Sequence, residues 1–476
     1  METNNNNNNN NENENNEKEF ISIDSLFTEL IEIEGENIYN IKKTDFINYF
    51  IYQKDMIINQ DKFYEIISNL ISNDKNNIAI LLLNSYIVNY YLRDISNNKE
   101  NKTKVLDLYN KLPKDKKLLF YNKEIEITEI LNLLKEEKEI KNVYLKLKDL
   151  SNENQKYFPE KKPETKIPEI IEDKFDIFSW DPSEIAKQLT IITQYLFKKI
   201  ECYELNSSKW SKESKEINSP NIVKLINRFN NLSLWICEEI LSYDHAKIRS
   251  KIIEKLILIC EELKEINNFN DCFNIITAIN NLSIKRLNKT WNKINEDYKE
   301  KLKNLSSFCS VMKNFEYLRK GVIDYLNNEK KYGLVPYLGI FLKDLSFDDE
   351  KKKYLNEEGL INIKKIIQCG KIINDLKECQ IYSYNFYPIY SLRFFCELSP
   401  LNEEKITQLS EDIEPKFNKK KIEEKRNTTT EFEFGKNKIG MNGIFGEYIC
   451  EVSDYETKNF TLKEKMEFFR NNNIVI

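Results

Sequence analysis

The sequence predicts an all-α protein, because glycine and proline are rare and helix-forming residues are abundant. Glycine and proline are rare, at 10 residues each in a chain of 476, whereas sandwiches, propellers and doubly wound sheets need many tight turns. Leucine, isoleucine, lysine and glutamate dominate, as they do in helical proteins. Hydrophobic residues make up 41% of the chain, which is enough to fill the cores of two or three domains.

Charge and hydropathy exclude two classes of partner. The formal net charge is -5, with acidic and basic residues interspersed, whereas a nucleic-acid-binding protein needs a clustered basic surface. No apolar stretch reaches the ~18 residues that a transmembrane helix requires. The Asn-rich start has no signal-peptide hydrophobic region. We therefore expect a cytoplasmic protein with no nucleic-acid partner and no transmembrane segment.

The sequence offers few ligands for a metal or a cofactor. The nine cysteines are scattered and form no CxxC pair, so reduced, buried thiols are a better interpretation than disulfides or a metal site. The single histidine, His245, excludes a two-histidine zinc site and is expected to be an exposed loop residue. Neither a Walker A motif nor GxGxxG occurs, so no cofactor is expected.

Composition divides the chain into five segments. Residues 1–19 are Asn-rich and are predicted to be disordered. Residues 20–113 show helical periodicity and predict a small helical bundle. Residues 114–175 are rich in Lys and Glu and then interrupted by prolines, which predicts a linker with a solvated helix; a coiled-coil surface is the alternative. Residues 176–415 are the densest region, and residues 416–476 form a tail of unassigned role.

One helix of the dense region has a clear predicted start. In SPNIVKLINRFNNLSLWICEEIL (219–241), Ser219 is a candidate N-cap and Pro220 fits the first helical position. The apolar residues that follow lie on one face of the helix; they are Ile222, Ile226, Phe229 and Leu232. Further helices are predicted at residues 269–281 and 360–379.

The stretch PYLGIFLKDLSFDDE (336–350) places three consecutive acids at the end of an apolar helix. They are Asp348, Asp349 and Glu350, and the helix macrodipole disfavours negative charge at a C-terminus. One interpretation is a frayed, solvated helix end, where the cost is only tenths of a kcal/mol. The other is a functional carboxylate whose local cost serves binding.

Ordered blocks over about 240 residues resemble the catalytic domain of Ras guanine-nucleotide exchange factors. In chain order they are DPSEIAKQLTIITQYLFKKIECYEL (181–205), WSKESKEINSPN (210–221), ELKEINNFNDCFNIITAINNLSIKRLNKTW (262–291), KNFEYLR (313–319), VPYLGIFLKDL (335–345) and EEGLINIKKI (357–366). A chance helical protein would not present all of these blocks in this order. Residues 20–113 resemble, more weakly, the helical N-terminal module that accompanies this domain in the family.

The resemblance implies a helical bowl from which a helical hairpin projects and opens the nucleotide site of a small GTPase. Residues 336–350 would form the outgoing arm of the hairpin, and residues 358–379 the returning arm. The implied activity is guanine-nucleotide exchange without covalent chemistry. The implied partner is a Ras- or Rap-type GTPase, bound preferentially in its nucleotide-free form. The protein would be recruited transiently to the cytosolic face of membranes through that GTPase.

The resemblance also assigns roles to individual residues. Glu350 would be the carboxylate that competes with the nucleotide phosphates, and Ser346 occupies the position that reaches toward the metal site. The GTPase-binding residues would be Tyr337, Lys343, Asp344, Asn227, Asn230, Phe315 and Arg319. The structural residues would be Asn280, Arg286 and Trp291.

Two positions depart from the family pattern. Lys343 stands where the family usually has threonine, and a cation there would change which GTPase is accepted or weaken binding. Ser346 is small and would block Mg²⁺ less than a bulky residue. A scaffold that binds a GTPase with little or no exchange activity is therefore the alternative function.

Overall fold

The computed structural model describes residues 20–33, 35–96, 98–113, 117–120, 123–135, 157–158, 161, 163–166, 175–328, 332–389, 395 and 398–415. The segment predicted to be disordered and the predicted tail lie outside these residues. Most of the predicted linker lies outside them as well.

The described residues form an all-α fold, as predicted. The N-terminal helices are α1 (Ile23–Glu32), α2 (Lys43–Tyr52), α3 (Gln60–Ser72), α4 (Asn76–Tyr90), α5 (Lys99–Lys111) and α6 (Ile127–Lys135). The central helices are α7 (Pro182–Lys198), α8 (Lys215–Asn218), α9 (Pro220–Leu241), α10 (Ala246–Glu265), α11 (Phe269–Ile279), α12 (Leu282–Lys285), α13 (Asn288–Trp291), α14 (Glu296–Phe308) and α15 (Met312–Asn327). The last helices are α16 (Leu338–Lys351), α17 (Ile363–Ile381) and α18 (Glu403–Ile413). None of these helices has the length and apolar character that crossing a membrane requires.

Strands in the described part of the chain occur only as short pairs. The antiparallel pairs are β1 (Phe20–Ile21) with β7 (Ile361–Asn362), β2 (Asn37–Ile38) with β3 (Ile41–Lys42), and β4 (Lys117–Phe120) with β5 (Lys123–Glu126). The parallel pair is β6 (Tyr157–Phe158) with β8 (Ser383–Tyr384). With so few ladder hydrogen bonds, the core is built by packing between helices.

The chain divides into two compact units, each of two segments. Unit 1 comprises the described residues within 1–153 and 344–374, and unit 2 comprises the described residues within 154–343 and 375–476. The division falls inside α16, between Lys343 and Asp344. The end of α16 and the first part of α17 therefore belong to the same unit as the N-terminal helices.

The core of unit 1 forms where α2, α3 and α4 pack on one another. Phe46, Phe63 and Tyr86 have no exposed surface. A lysine is buried among these side chains: the Lys54 ammonium lies 2.6 Å from an Asp55 carboxylate oxygen and 4.7 Å from the Tyr90 ring centroid. A buried ammonium is tolerated only when it has such partners.

Within unit 1, α17 packs closely against α2 and the start of the described chain. The Gln53 side-chain amide donates to the Tyr49 and Ile366 carbonyls, at 2.9 Å each. A Cβ atom added at Gly370 would overlap the Tyr49 side chain, so glycine permits this close approach. Together with the β1–β7 pair, these contacts attach the returning helix to the N-terminal helices.

A buried polar network connects α7 with α11 in unit 2. Asp271 accepts hydrogen bonds from Thr193 Oγ1 at 2.6 Å and from Asn268 Nδ2 at 2.8 Å, and Asn268 Nδ2 also donates to Thr190 Oγ1. Burial raises the pKa of the Asp271 carboxyl, while the nearby Arg228 and the hydrogen bonds from Thr193 and Asn268 oppose the shift. Such satisfied networks fix one arrangement of the surrounding core.

The start of α9 differs in part from the sequence prediction. Pro220 is at the first helical position, as predicted, but the Ser219 side chain makes no capping hydrogen bond to the helix; its hydroxyl donates to the Glu204 carbonyl instead. The Glu204 carboxylate takes the capping role, accepting from the backbone N–H groups of Asn221 at 2.8 Å and Ile222 at 3.2 Å. The prediction that Ser219 caps this helix was therefore wrong.

Helix α18, the last helix that the structure describes, is held within unit 2 by two arginines. Arg249, only 1% exposed, donates to the Tyr243 and Asp244 carbonyls at 2.7 Å, to Thr290 Oγ1 at 2.9 Å, and to the Glu414 carboxylate at 3.3 Å. Arg286 donates to the Ser410 carbonyl and, at 2.6 Å, to the Glu414 carbonyl. The end of α18 is thus fixed by charged hydrogen bonds.

Glu239 on α9 predicts a pH dependence of stability. Burial, together with the charges of Asp176 and Glu238, raises the pKa of its carboxyl to about 7. A raised carboxyl pKa means that the native state holds the proton more tightly than the unfolded state. The resulting stabilisation is full below the ordinary pKa of 4.5 and is lost as the pH rises through about 7.

We expect Glu239→Gln to be more stable than the parent at pH 8, by about 1–3 kcal/mol, and equal to it at pH 4.5. Urea denaturation at both pH values measures the difference. Glu213→Gln, which alters an exposed carboxylate, should show no such trend. An equal effect of Glu239→Gln at both pH values would contradict the prediction.

Candidate functional site

Helix α16 follows a segment that is hydrogen-bonded to the start of α11, and it carries the predicted site residues Lys343, Asp344, Ser346 and Glu350. Before the helix, the Val335 carbonyl accepts from the Phe269 N–H at 2.9 Å and the Val335 N–H donates to the Asn267 carbonyl at 3.0 Å. The apolar residues of the helix point into the protein and are at most 9% exposed; they are Leu338, Ile340, Phe341, Leu342 and Leu345. This spacing leaves the opposite face of α16 with Lys343, Phe347 and Glu350, all of them exposed.

Tyr337, predicted to bind a GTPase, lies in an aromatic cluster of unit 2. Its ring stacks on Phe273, with centroids 4.0 Å apart and planes at 21°. Phe229 and Phe315 approach the same ring, at 5.9 Å and 5.7 Å. We call these four side chains the aromatic platform. The structure therefore brings together Tyr337 and Phe315, which are both predicted site residues.

Two asparagines predicted to bind a GTPase are close in sequence to Phe229, a residue of the aromatic platform. Asn227 and Asn230 are exposed on α9, on either side of the platform residue Phe229. Burial raises the pKa of the Tyr337 hydroxyl, so Tyr337 stays neutral. Tyr337, Asn227 and Asn230 thus contribute an uncharged aromatic group and two amides to the predicted site.

Lys343 contacts the start of α15, where the backbone of residues 313–315 is not helical. Its ammonium donates to Asn314 Oδ1 at 2.9 Å and lies 5.3 Å from the Phe315 ring centroid. Arg319 Nε donates to the Asn314 carbonyl at 2.7 Å. Asn314 therefore joins two predicted site residues, and sequence reasoning missed it.

The backbone around Asn314 is left-handed over three residues. Lys313, Asn314 and Phe315 have φ values of 48°, 57° and 60°. Left-handed backbone costs roughly 1–2 kcal/mol for most residues, and asparagine adopts it more readily than other non-glycine residues. This asparagine was the signal in the sequence that could have indicated a special turn here.

In unit 1, a buried lysine contacts the acidic end of α16. Lys365 Nζ lies 3.1 Å from an Asp349 carboxylate oxygen, and only 2% of its side chain is exposed. Glu350, the next residue, is exposed. One of the three acids is thus paired within the protein, and sequence reasoning missed its partner. The signal was the Lys364-Lys365 pair in the first turn of the next helix.

The remaining predicted residues of this part of α16 differ in exposure. Asp344 and Ser346 are half-buried. Phe347, which was not predicted, is 54% exposed, and Lys351 Nζ lies 3.7 Å from its ring centroid. An exposed aromatic side chain therefore stands one turn before Glu350.

The returning arm starts later than predicted. The helix of this arm was predicted at residues 360–379, but α17 begins at Ile363 because residues 361 and 362 form β7. Asn356 shapes the preceding turn, since its side-chain oxygen accepts from the Glu358 and Leu360 N–H groups. Asn362 then caps α17 by accepting from the Lys365 N–H at 2.9 Å.

The residues predicted to be structural all lie in unit 2. Asn280 ends α11, where its N–H donates to the Ile276 carbonyl. Trp291 Nε1 donates to the Ile284 carbonyl at 2.9 Å, and Arg286 holds the end of α18. Their assignment as structural residues stays a prediction.

The potential metal ligands in the part of the chain that the structure describes are not grouped for metal binding. No group of three or more His, Cys, Asp or Glu side chains there could hold a metal ion. The seven described cysteines are buried and free, and His245 is exposed before α10.

Comparison with known families identifies the domain to which this geometry belongs. The RasGEF domain family matches residues 184–367. Residues 184–367 are a RasGEF domain. The matched RasGEF residues include the aromatic platform, α16 and the first turn of α17.

Curated proteins similar to this chain are named as guanine-nucleotide exchange or releasing factors. The chain is 34% identical to Ras guanine nucleotide exchange factor Y of Dictyostelium discoideum over 238 residues, which are 50% of this chain and 16% of that protein. It is 30% identical to factor A of the same organism over 251 residues, which are 51% of this chain and 40% of that protein. A Ras-specific guanine nucleotide-releasing factor of Mus musculus is 32% identical over 252 residues, 51% of this chain and 42% of that protein. The chain thus spans less than half the length of each relative.

Proposed function

We propose that this chain is a guanine-nucleotide exchange factor for a Ras-like small GTPase. The observation that carries the proposal is an exposed carboxylate, Glu350, in the last turn of α16 within the RasGEF domain. The names of the curated relatives, which are exchange or releasing factors for Ras, support the same activity.

Exchange of this kind is a matter of linked binding and needs no covalent chemistry. A protein that binds the nucleotide-free GTPase more tightly than the loaded form weakens nucleotide binding by the same ratio. Such couplings are typically ~1–3 kcal/mol, and shifting an equilibrium almost completely takes about 5.5 kcal/mol. The factor speeds nucleotide release in either direction, so GTP loads because it is in excess.

The residues on α16 would supply this differential binding. The Glu350 carboxylate would interact with GTPase groups that otherwise hold the nucleotide phosphates and Mg²⁺. It can do so only when the nucleotide has left, so its interaction favours the nucleotide-free form. On the same helix, Ser346 would approach the Mg²⁺ site of the GTPase, and Asp344 would contact the GTPase surface.

The aromatic platform would form the main contact with the GTPase. Tyrosine is enriched at binding hot spots because it buries a large area at a low entropic cost. Tyr337 is preorganised by its stacking on Phe273, and Asn227 and Asn230 add amide hydrogen-bonding groups beside it. Arg319 and Lys343, which both donate to Asn314, would add positive charge to this site.

The partner is proposed to be a Ras- or Rap-type GTPase. Because such GTPases carry lipid anchors, the exchange factor would meet its partner at the cytosolic face of a membrane. A GTPase-binding scaffold without exchange activity is the second candidate function. It is favoured by Lys343, whose ammonium is tied to Asn314 at a position where the family usually has threonine.

The test is release of fluorescent GDP from purified Ras, Rap and Ral proteins when the full chain is added in catalytic amounts. We expect the parent chain to accelerate GDP release from at least one GTPase. Glu350→Ala should reduce that acceleration about 10- to 100-fold, because losing a hydrogen bond to a charged group costs a free energy of corresponding size. The free energy of unfolding should change by less than about 0.5 kcal/mol, because Glu350 is exposed.

Glu357→Ala is the matched control, since Glu357 is an exposed acid in the turn after α16; it should leave the release rate unchanged. Stable binding to a GTPase without faster release would support the scaffold. Faster release that survives Glu350→Ala would contradict the role of this carboxylate.

A further inference from the structure

Lys365, a second buried lysine of unit 1, has several partners. Lys365 Nζ donates to Asp349 Oδ1 at 3.1 Å and to the carbonyl oxygens of Asp348, at 3.4 Å, and Lys352. The ring centroid of Tyr354 lies 4.1 Å from the same nitrogen. Lys365 itself is in the first turn of α17, where its N–H is capped by Asn362.

These contacts compensate a large desolvation cost. Moving an ammonium out of water costs several kcal/mol unless oxygen acceptors or a carboxylate replace the lost water. The ammonium has three hydrogens to donate, and the three oxygens around Lys365 match that number. The face of an aromatic ring adds further attraction.

The groups that accept hydrogen bonds from Lys365 belong to residues just before and just after Glu350 in the sequence. The helix α16 ends at Lys351, and the N–H of the next residue, Lys352, donates to the Asp348 carbonyl at 3.1 Å. Lys365 therefore adds a second donor to the Asp348 carbonyl and one to the Lys352 carbonyl. The bound carbonyls belong to Asp348 and Lys352, two residues on either side of Glu350. The Asp349 charge is compensated by the same ammonium, whereas the Glu350 side chain stays exposed.

We propose that Lys365 is a positioning residue for Glu350: it fixes the last turn of α16 so that the Glu350 carboxylate is held ready for the GTPase. This inference rests on the proposed exchange function. Without the Lys365 ammonium, a helix end with three adjacent acids would fray, and Glu350 would have to be ordered during each encounter. The ordering by Lys365 removes that cost before the GTPase binds.

A positioning role and a general structural role make different predictions. If Lys365 acts through Glu350, removing it should lower the maximal rate of GDP release and matter little once Glu350 is gone. If Lys365 only supports the fold, its removal should reduce activity by the same factor whether or not Glu350 is present. The comparison is a double-mutant cycle, which isolates the coupling between two residues.

The experiment uses the full chain and the GTPase whose GDP release it accelerates most. Lys365→Met keeps the aliphatic stem and removes the charge, and it is made alone and with Glu350→Ala. Lys364→Met, at the exposed neighbouring lysine, is the control. The maximal release rate and the half-saturating concentration are measured for each variant, and amide hydrogen exchange is followed at residues 346–352 and at residues 43–52.

We expect Lys365→Met to lower the maximal rate about tenfold when Glu350 is present and less than twofold when it is absent. The half-saturating concentration should stay within twofold. Amide exchange should rise at residues 346–352 and remain unchanged at residues 43–52. Lys364→Met should match the parent in every measurement.

Equal losses in both backgrounds, or a change confined to the half-saturating concentration, would overturn the inference while leaving the proposed function in place. A parent chain that accelerates GDP release from no GTPase would overturn the proposed function, and the positioning role with it. If Lys365→Met fails to fold, Asp349→Asn takes its place in the same cycle, because it removes the charged partner of Lys365.

Discussion

Replacing Arg249 by methionine is expected to destabilise unit 2 by about 3–5 kcal/mol, the cost of breaking a buried charge pair by removing one partner. The Arg249 guanidinium is almost completely buried and donates to four oxygens. Without it, the Glu414 carboxylate and the Tyr243 and Asp244 carbonyls lose a buried donor. Methionine keeps much of the side-chain volume, so the loss reports the hydrogen bonds rather than a cavity.

The chain offers a convenient probe for this measurement. Its four tryptophans, Trp180, Trp210, Trp235 and Trp291, all lie in unit 2, so urea denaturation followed by tryptophan fluorescence reports that unit. Lys247→Met, at an exposed position of the same helix, should have little effect. Adding Glu414→Gln to Arg249→Met should recover part of the loss, because the stranded carboxylate is removed. A loss below about 1 kcal/mol would mean that water replaces the guanidinium.

Replacing Phe273 by alanine is expected to cost about 3–5 kcal/mol, as for other buried phenylalanines. Phe273 is 8% exposed and lies under Tyr337 in the aromatic platform, so its removal leaves a cavity and ends a stacked ring pair. Stacked pairs contribute about 0.5–1.5 kcal/mol beyond the area they bury. Urea denaturation followed by tryptophan fluorescence measures the loss in unit 2.

Phe273→Leu separates stability from function at the aromatic platform. Because leucine fills most of the space, this variant should lose less than about 1.5 kcal/mol. It leaves Tyr337 without a ring to stack on, so we expect a higher half-saturating concentration in the GDP-release assay. Ile275→Val, on the same helix and 1% exposed, is the control for a small loss of core volume. A Phe273→Leu variant with parental GTPase binding would show that Tyr337 needs no stacked partner.

The helices were predictable because their determinants are local. Few glycines and prolines, an apolar periodicity and a proline at the first helical position are read directly from the sequence, and Pro220 begins α9 as predicted. The cap of that helix was not predictable, since it comes from Glu204, 17 residues before Asn221. A capping group supplied by another segment leaves no pattern next to the helix.

The sequence likewise predicted some residues of the candidate site and missed others. The resemblance points to Tyr337, Phe315 and Glu350, and the structure places the first two in one cluster. Asn314 and Lys365 were missed because their importance lies in partners elsewhere: Asn314 binds a lysine 29 residues away, and Lys365 binds a carboxylate 16 residues away. From the local sequence, the acids at the end of α16 look uncompensated, whereas the compensating charge is on the next helix.

The discontinuity of unit 1 has a consequence for how the protein is made. The hydrogen bond from Gln53 to the Ile366 carbonyl can form only after Ile366 is synthesised, and Ile366 is 313 residues later in the chain. At about 5–20 residues per second, the ribosome needs roughly 15–60 s to synthesise that interval. During this time α2 has no α17 to pack against, and the surface around Tyr49 that receives Gly370 is uncovered. Unit 1 therefore cannot complete its fold on the nascent chain until the RasGEF domain has almost entirely emerged, and slow translation or premature termination would expose this surface to chaperones and proteases.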